Sequence, residues 1–477
     1  MDATLDYQQA EPRRSPLAEL LLLAIPTIAQ MVSYTAMQFA DTWMLSRLGI
    51  DQPTAAGNAG LSAWSIIGFG VGVMFCVNAL VSQHFGRKDF TACGQFLWQG
   101  VWFGLLFAVV TAPLILFAPR LFSFLGHDPS LARLEGTFFQ ITVAFTAVKL
   151  ASTAFGQFLL AINRPWMVLA AAVCGVSANA GVNYFLIFGH GGFPQMGVAG
   201  AAWGTNVGVT VELLFLAGVV LGPRVRAVFN TLDWSPRLPL MRSLLAIGLP
   251  SGVQLVADIA AWMLFQTWVM AQFGTAAMSA NTFMFRYLSV SFMPAFGIAS
   301  AVTALVGRYY GAGRPALALH RAHLGFVVAG VYMVACGVGY VVGRNALMSL
   351  FTSDPEVLRL GAILMVFAGI YQIFDAMYLV YNGALRGVGD TFVPAVVLAT
   401  LCWGITVGGG YAAAHWRPQW GIAGPWTLAS IYGLILGVFM LLRFTNGRWR
   451  TTPVDTTDTS STVRDFEPLT ATAATTE

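Results

Sequence analysis

The sequence predicts an all-α polytopic membrane protein whose twelve spanning helices form two six-helix lobes related by pseudo-two-fold symmetry. The first observation is the composition, which is 57% hydrophobic and only 10% charged. Such values are far from those of a soluble domain. The second observation is an internal repeat, and the third is the distribution of the basic residues between the two ends of the spans.

The two halves of the chain carry the same sequence pattern. The segment that begins at Pro26, PTIAQMV, recurs from Pro250 as PSGVQLV. The segment that begins at Asp41, DTWMLSRLG, recurs from Gln266 as QTWVMAQFG. Both copies run in the same chain direction with an even number of spans, which predicts a parallel repeat about an axis along the membrane normal. A cavity between the lobes is the expected consequence.

Twelve apolar stretches are long enough to cross a bilayer, which takes roughly 20 residues at about 1.5 Å each. We number them spans 1 to 12. Spans 1 to 6 are predicted near residues 17–46, 54–83, 95–118, 136–162, 165–188 and 197–221. Spans 7 to 12 are predicted near residues 243–272, 280–309, 320–343, 358–385, 391–414 and 421–443. The predicted parts are a cytoplasmic N-terminal segment 1–16, an N-lobe 17–222, a cytoplasmic linker 223–242, a C-lobe 243–443 and a disordered cytoplasmic tail 444–477.

Basic residues indicate the orientation of the spans, because loops rich in Lys and Arg stay in the cytoplasm. With the N-terminus inside, seventeen of the 25 Lys and Arg residues fall on the cytoplasmic side and six outside. Both termini are therefore predicted to be cytoplasmic. Only Lys149 and Arg286 remain within spans. The net charge of +4 follows from this topology, and it gives no sign of nucleic-acid binding.

Two carboxylates lie near the bilayer centre of the C-lobe, Asp258 in span 7 and Asp375 in span 10. Ionisable groups at such depth are rare and usually face a wet cavity or a partner. A desolvated carboxyl keeps its proton unless a cation replaces it, which is the physical basis of ion coupling. Tyr371 precedes Asp375 by one helical turn, so its hydroxyl can complete an oxygen cage. A sodium ion at Asp258 and Asp375, a proton, and a purely structural role all stay open.

A second polar cluster is expected in the N-lobe. Asn179 and Asn183 are spaced i, i+4 on span 5, and Asp41 lies late in span 1. Asn in a membrane helix also serves as interhelical glue, so a packing role stays open for both amides. Glu212 in span 6 is a weaker candidate, because it stands near the inner end of its span and can reach toward water.

Pro26 and Pro250 occupy equivalent positions in spans 1 and 7, where the missing backbone hydrogen bond allows a bend. They are candidate hinges, and static kinks are an equal alternative. The chain contains no Walker-type phosphate loop and no nucleophile elbow, so we expect neither enzyme activity nor a cofactor. The five Cys residues show no spacing typical of a zinc site or a disulfide framework.

Three motifs resemble those of a known family. They are QFADT ending at Thr42, GLP ending at Pro250 and followed by Asp258, and YQIFD ending at Asp375 and followed by GALRG. On these motifs the chain, up to about residue 443, is similar to bacterial NorM-type members of the multidrug and toxic compound extrusion (MATE) family. The resemblance implies that the lobes form a V and alternate between outward-open and inward-open states.

The resemblance also implies a function. It is efflux of lipophilic cationic drugs or metabolites across the bacterial inner membrane by a lipid-embedded monomer, with sodium ions or protons as coupling ions. The implied site residues are Asp258, Tyr371 and Asp375 in the C-lobe and Asp41, Asn179 and Asn183 in the N-lobe.

A flippase for lipid-linked sugar intermediates is the alternative function. Its pyrophosphate substrate needs several Arg or Lys residues at membrane depth, where this chain has only Lys149 and Arg286. A channel or a receptor would not need a duplicated set of six spans with acids in each half.

Overall fold

The structure, a computed structural model, describes residues 15–124, 126–447 and 449. Helices make up almost all of this part of the chain, and strands are absent from it. The helices of the N-lobe are Pro16–Ser46, Asp51–Gly86, Phe90–Thr111, Pro113–Phe124, Pro129–Ala144, Thr146–Ala161, Pro165–Phe188 and Val198–Val220. Those of the linker and the C-lobe are Pro223–Phe229, Leu238–Leu264, Thr275–Gly311, Pro315–Ser349, Pro355–Gly387, Phe392–Leu401, Gly410–Trp416 and Ala423–Thr445.

Eleven helical stretches in the described residues are long and apolar enough to cross a membrane, and a bent pair gives a twelfth span. Several spans begin where the sequence supplies a helix start. Proline occupies a first-turn position in spans 1, 4, 5, 9 and 10. The Ser15 hydroxyl caps span 1 by accepting from the Ala18 amide, and Asp354 caps span 10 in the same way. The all-helical fold is confirmed.

Span 4 differs from the single helix predicted at 136–162. It begins earlier, at Pro129, and bends by 49° between Ala144 and Thr146. Phe145 leaves the helical conformation with φ −97° and ψ 16°. The Thr146 hydroxyl donates to the Val143 carbonyl at 2.6 Å, which replaces a regular helical bond and stabilises the bend.

Spans 7 and 11 each contain a π-helical segment, at Phe265–Val269 and Cys402–Gly409. Pro250 lies 224 residues after its counterpart Pro26, whereas Gln266 lies 225 residues after its counterpart Asp41. The second copy of the repeat therefore carries one extra residue between Pro250 and Gln266. A π turn is the usual way for a helix to take up one additional residue. The π segment of span 7 begins at Phe265, at the end of this interval.

The predicted part boundaries need three adjustments. The linker 223–242 contains the helix Pro223–Phe229, and span 7 already begins at Leu238. Span 12 runs to Thr445, and Trp449 is buried and stacks on Phe444 at 5.4 Å, so the predicted disordered tail cannot begin at residue 444. The rest of that tail and residues 1–14 lie outside the described residues.

The two lobes contact each other through spans 1 and 2 on one side and spans 7 and 8 on the other. We call the side of the membrane on which span 1 begins the inner side. The Gln83 amide donates to the Gly387 carbonyl at 2.8 Å, and the Cys76 thiol lies 3.3 Å from the Ser251 hydroxyl. Among the described residues, cross-lobe hydrogen bonds occur only in the inner halves and the middle of the spans. The described residues of the outer halves form none.

Glu19 connects the lobes at the inner end. It belongs to span 1 and is only 8% exposed. Arg321 of span 9 donates to its carboxylate at 2.8 Å, and the Tyr309 hydroxyl of span 8 lies 3.0 Å from both carboxylate oxygens. The Arg308 guanidinium lies 3.8 Å from the same group. This buried ion pair therefore forms only while the inner halves of the lobes are together.

Glycine allows close approaches between the lobes. A Cβ atom on Gly72 of span 2 would lie 2.8 Å from the Gly252 Cα of span 7. No larger residue fits there without moving a helix backbone. Gly252 is two residues beyond Pro250, so the proline of span 7 lies next to this contact between the lobes.

Candidate functional site

The C-lobe brings its two predicted carboxylates together. Asp258 and Asp375 lie within electrostatic range of each other, and both are partly exposed although they occur deep in their spans. None of the ion pairs in the described residues involves either one. The site therefore presents two like charges without a basic partner, and this arrangement attracts a cation or holds a proton.

Tyr371 is also part of this cluster. It is buried and lies within electrostatic range of both Asp258 and Asp375. Its ring meets the Trp262 ring edge to face, with centroids 5.8 Å apart. No hydrogen bond joins its hydroxyl to either carboxylate in the part of the chain that the structure describes. The hydroxyl is thus close to the pair, but it does not bridge it.

Aromatic side chains form the wall beside the carboxylates. Trp262 follows Asp258 by one helical turn and stacks on Trp426 at 6.0 Å. It also meets Tyr432 of span 12 at 6.4 Å, and Tyr432 lies within electrostatic range of Asp258. Aromatic faces next to acidic groups can bind flat or cationic organic molecules.

The N-lobe cluster is also assembled. The Asn183 amide donates to the Asp41 carboxylate at 2.6 Å. The Thr205 hydroxyl of span 6 lies 3.5 Å from the other carboxylate oxygen, and the Asn179 amide lies 3.4 Å from Thr205. The carbonyl oxygens of both Asn side chains are buried and lack a donor. These oxygens and Asp41 can supply acceptors to a cation or to water.

Sequence reasoning missed Thr205, Trp262 and Tyr432. Trp262 could have been found from its spacing, because i, i+4 places it on the same face as Asp258. Tyr432 and Thr205 lie on spans 12 and 6, which occupy equivalent places in the repeat, and neither has a local signal. Their roles emerge only from the packing of separate spans.

The candidate hinges lie inside continuous helices. Pro26 is within Pro16–Ser46 and Pro250 is within Leu238–Leu264. Pro26 is buried, and the neighbouring Thr27 hydroxyl donates to the Leu23 carbonyl at 2.8 Å. This geometry is compatible with a fixed kink and with a hinge, so the hinge role stays a prediction.

Comparison with known sequences decides the family. The MatE family profile matches residues 26–185 and 256–411, and so covers both lobes. The chain belongs to the MatE family. This result confirms the resemblance that the sequence motifs indicate.

This MatE member has close full-length relatives. It is 30% identical over 439 residues to a "Probable multidrug resistance protein NorM" of Bradyrhizobium diazoefficiens, with 89% of this chain and 92% of the relative covered. A protein of the same name from Rhizobium meliloti is 28% identical over 447 residues, with 90% and 92% covered. A solved outward-facing multidrug resistance MATE family transporter superposes with a TM-score of 0.83 at 19% identity, covering 91% of this chain and 97% of the other.

Proposed function

We propose that this MatE member exports lipophilic organic cations across the bacterial inner membrane, in exchange for sodium ions or protons, by alternating access. The observation that carries the proposal is the pair Asp258 and Asp375, which lacks a basic partner among the described residues. A substrate cation and a coupling ion would compete for these carboxylates. Entry of one would then release the other.

The cross-lobe contacts support the alternating-access part of the proposal. The inner halves of the lobes are joined by hydrogen bonds and by the Glu19 ion pair, whereas the outer halves make no such bond in the described part of the chain. This is the arrangement expected of an outward-open state in which the termini are cytoplasmic. Each lobe carries its own polar cluster, so one monomer contains all parts of the mechanism.

The positions of the two basic residues within spans argue against a pyrophosphate-bearing substrate. Lys149 donates to the Thr142 carbonyl at 3.2 Å. Arg286 belongs to span 8 of the other lobe and is exposed. A pyrophosphate group would require several basic side chains that converge on one place.

The decisive experiment uses the purified protein in liposomes with ethidium as the probe. A sodium gradient and a pH gradient are imposed one at a time. Ethidium movement against its own gradient under either condition supports the proposal, and the effective gradient identifies the coupling ion. Sodium-driven movement would favour a sodium ion at Asp258 and Asp375, whereas movement driven only by pH would favour protons at Asp41 and Asp375.

No ethidium movement under either gradient would contradict the proposal. A lipid-scrambling assay with a fluorescent lipid-linked sugar would then test the flippase alternative in the same liposomes.

A further inference from the structure

A further acidic group, Glu212, lies in the interior of the N-lobe. It is only 7% exposed, and the Tyr34 hydroxyl of span 1 donates to its carboxylate at 2.7 Å. The Gln30 amide donates to Tyr34 in turn, at 3.0 Å. Ser152 of span 4 supplies a further hydrogen bond to the carboxylate. Neutral donors therefore hold Glu212 in place.

No basic group in the described residues forms an ion pair with Glu212. Spans 1, 2, 4 and 5 pack against span 6. Between their first and last turns, these spans carry the titratable residues Tyr34 and Asp41 on span 1, Cys76 on span 2, Arg133, Glu135 and Lys149 on span 4, and Cys174 and Tyr184 on span 5. Of these, Tyr34 donates to Glu212. Lys149 is turned to the Thr142 carbonyl instead, and span 2 has no acidic or basic residue from 52 to 83. A buried carboxylate without a cationic partner is costly at membrane depth unless a proton or a cation neutralises it.

The repeat relates this cluster to the C-lobe pair. The register that equates Pro26 with Pro250 places Tyr34 on Asp258. Ser152 lies on span 4, whose counterpart is span 10, the span that carries Asp375. Glu212 therefore contacts spans 1 and 4 of the N-lobe, which correspond to spans 7 and 10, the two spans that carry Asp258 and Asp375 in the C-lobe. The position equivalent to Glu212 is Leu436, so each lobe places its acid on a different member of the same set of spans.

Glu212 is also aligned with the Asp41 cluster. Tyr34 and Asp41 are seven residues apart on span 1, and Thr205 and Glu212 are seven apart on span 6. Seven residues are close to two helical turns. The Asp41–Thr205 contact and the Tyr34–Glu212 contact therefore lie on the same faces of spans 1 and 6, about 10 Å apart along the helices. In the outer layer, Asn179 of span 5 contacts Thr205. One turn away on span 5, Gly175 contacts the Glu212 side chain in the inner layer.

We propose that Glu212, held by Tyr34 and Ser152, is a second proton-binding site of the N-lobe and the counterpart of the Asp258 and Asp375 pair. While the outer side is open, Glu212 takes a proton from water between the lobes, past the partly exposed side chain of Tyr34. When the inner side opens, Glu212 releases that proton to water on the inner side. A proton needs only the one carboxylate, and Tyr34 and Ser152 can donate to the ionised form. The inference rests on the proposed efflux function for its place in the cycle.

The transport test uses the full chain in liposomes with ethidium under a pH gradient. Glu212→Gln keeps the volume and removes the titratable group, so we expect pH-driven transport to fall at least tenfold with ethidium binding changed less than twofold. Tyr34→Phe removes a donor to the ionised form, so we expect half-maximal transport at a higher pH with the maximal rate retained. The matched control is Glu135→Gln, a fully buried acid of the same lobe that instead accepts from Asn58 at 2.8 Å and lies 2.7 Å from the His127 ring nitrogen.

A second measurement does not depend on transport. Infrared difference spectra between acidic and alkaline buffer should show a protonated-carboxyl band that loses one component in Glu212→Gln and keeps that component in Glu135→Gln. An unchanged band in Glu212→Gln, or undiminished pH-driven transport by that variant, overturns the inference and leaves the efflux proposal intact. Loss of sodium-driven transport alone would make Glu212 a sodium ligand and would also overturn it. Failure of the wild type to move ethidium contradicts the efflux proposal, and the infrared result still decides the protonation of Glu212.

Discussion

The two lobes descend from one repeat, yet they distribute polar groups differently. The N-lobe has polar groups at two depths, with Asp41 in the outer layer and Glu212 in the inner one, and neutral donors hold each acid. The C-lobe places two acids, Asp258 and Asp375, close together in the inner layer, where the Trp262 indole is a hydrogen-bond donor to Asp258. Its outer layer carries the neutral Gln266, whose amide donates to Thr282 at 2.7 Å.

Under the proposed function, this difference would suit the lobes to different tasks. Two like charges beside aromatic side chains would suit a large cation or a cation together with a proton. Single carboxylates held by several neutral donors would suit protons or one small ion, because their remaining acceptor capacity is small. The lobes would then supply complementary halves of an exchange between a bulky cation and a small one.

The largest effect is expected at the C-lobe pair. Asp375→Asn removes one of the two charges with almost no change in volume, and we expect ethidium transport in liposomes to fall at least 100-fold, to the level of empty liposomes. The physical reason is that the remaining acid, Asp258, can no longer hold the substrate and the coupling ion in turn. Glu356→Gln is the matched control, since Glu356 is an exposed acid at the start of the same span. Wild-type transport by Asp375→Asn, at equal protein content, would remove the distinction between the lobes.

A second prediction asks whether the lobes separate on the inner side. Glu19→Gln leaves the buried Arg321 without its counter-charge, and loss of one partner of a buried ion pair costs about 3–5 kcal/mol, less where a hydrogen bond remains. Cys76 is a natural reporter, because it is fully buried beside Ser251 in the cross-lobe contact. With the other cysteines replaced by alanine, we expect a maleimide to label Cys76 about tenfold faster in Glu19→Gln than in the parent.

The control for this labelling is Asp233→Asn, which removes an ion pair with Arg237 that lies within the linker. This change should leave the labelling rate of Cys76 unaltered. Equal labelling of the Glu19→Gln variant and the parent would show that the ion pair does not hold the inner side closed.

The sequence was sufficient for the all-helical fold, because span length and hydropathy are set by the bilayer and can be read locally. Asp258, Asp375 and Asp41 were also predictable, since a carboxylate inside an apolar span stands out at once. The hydrogen bond that holds Glu212 was not predictable, because its donor, Tyr34, lies 178 residues away in the sequence, a distance that no local pattern bridges. The 49° bend of span 4 depends on one side-chain hydrogen bond of Thr146, which hydropathy does not record.

The smallest effect is expected at the aromatic wall. Gln38 of the N-lobe occupies the position of the repeat that is equivalent to Trp262. At this position, therefore, the C-lobe has an indole next to its inner carboxylate and the N-lobe has an amide. A contact between a cation and an aromatic face is worth about 0.5–2 kcal/mol, and indole is the strongest partner. Trp262→Phe keeps a ring in the cluster but removes the indole donor to Asp258, so we expect ethidium affinity to fall about threefold with the maximal transport rate preserved. Trp416→Phe, an exposed position at the end of span 11, is the control and should bind ethidium like the wild type. A loss of maximal rate without a change in ethidium affinity would instead assign Trp262 to the movement of the lobe. The aromatic side chains beside Asp258 and Asp375 would then give no reason to place substrate binding in the C-lobe.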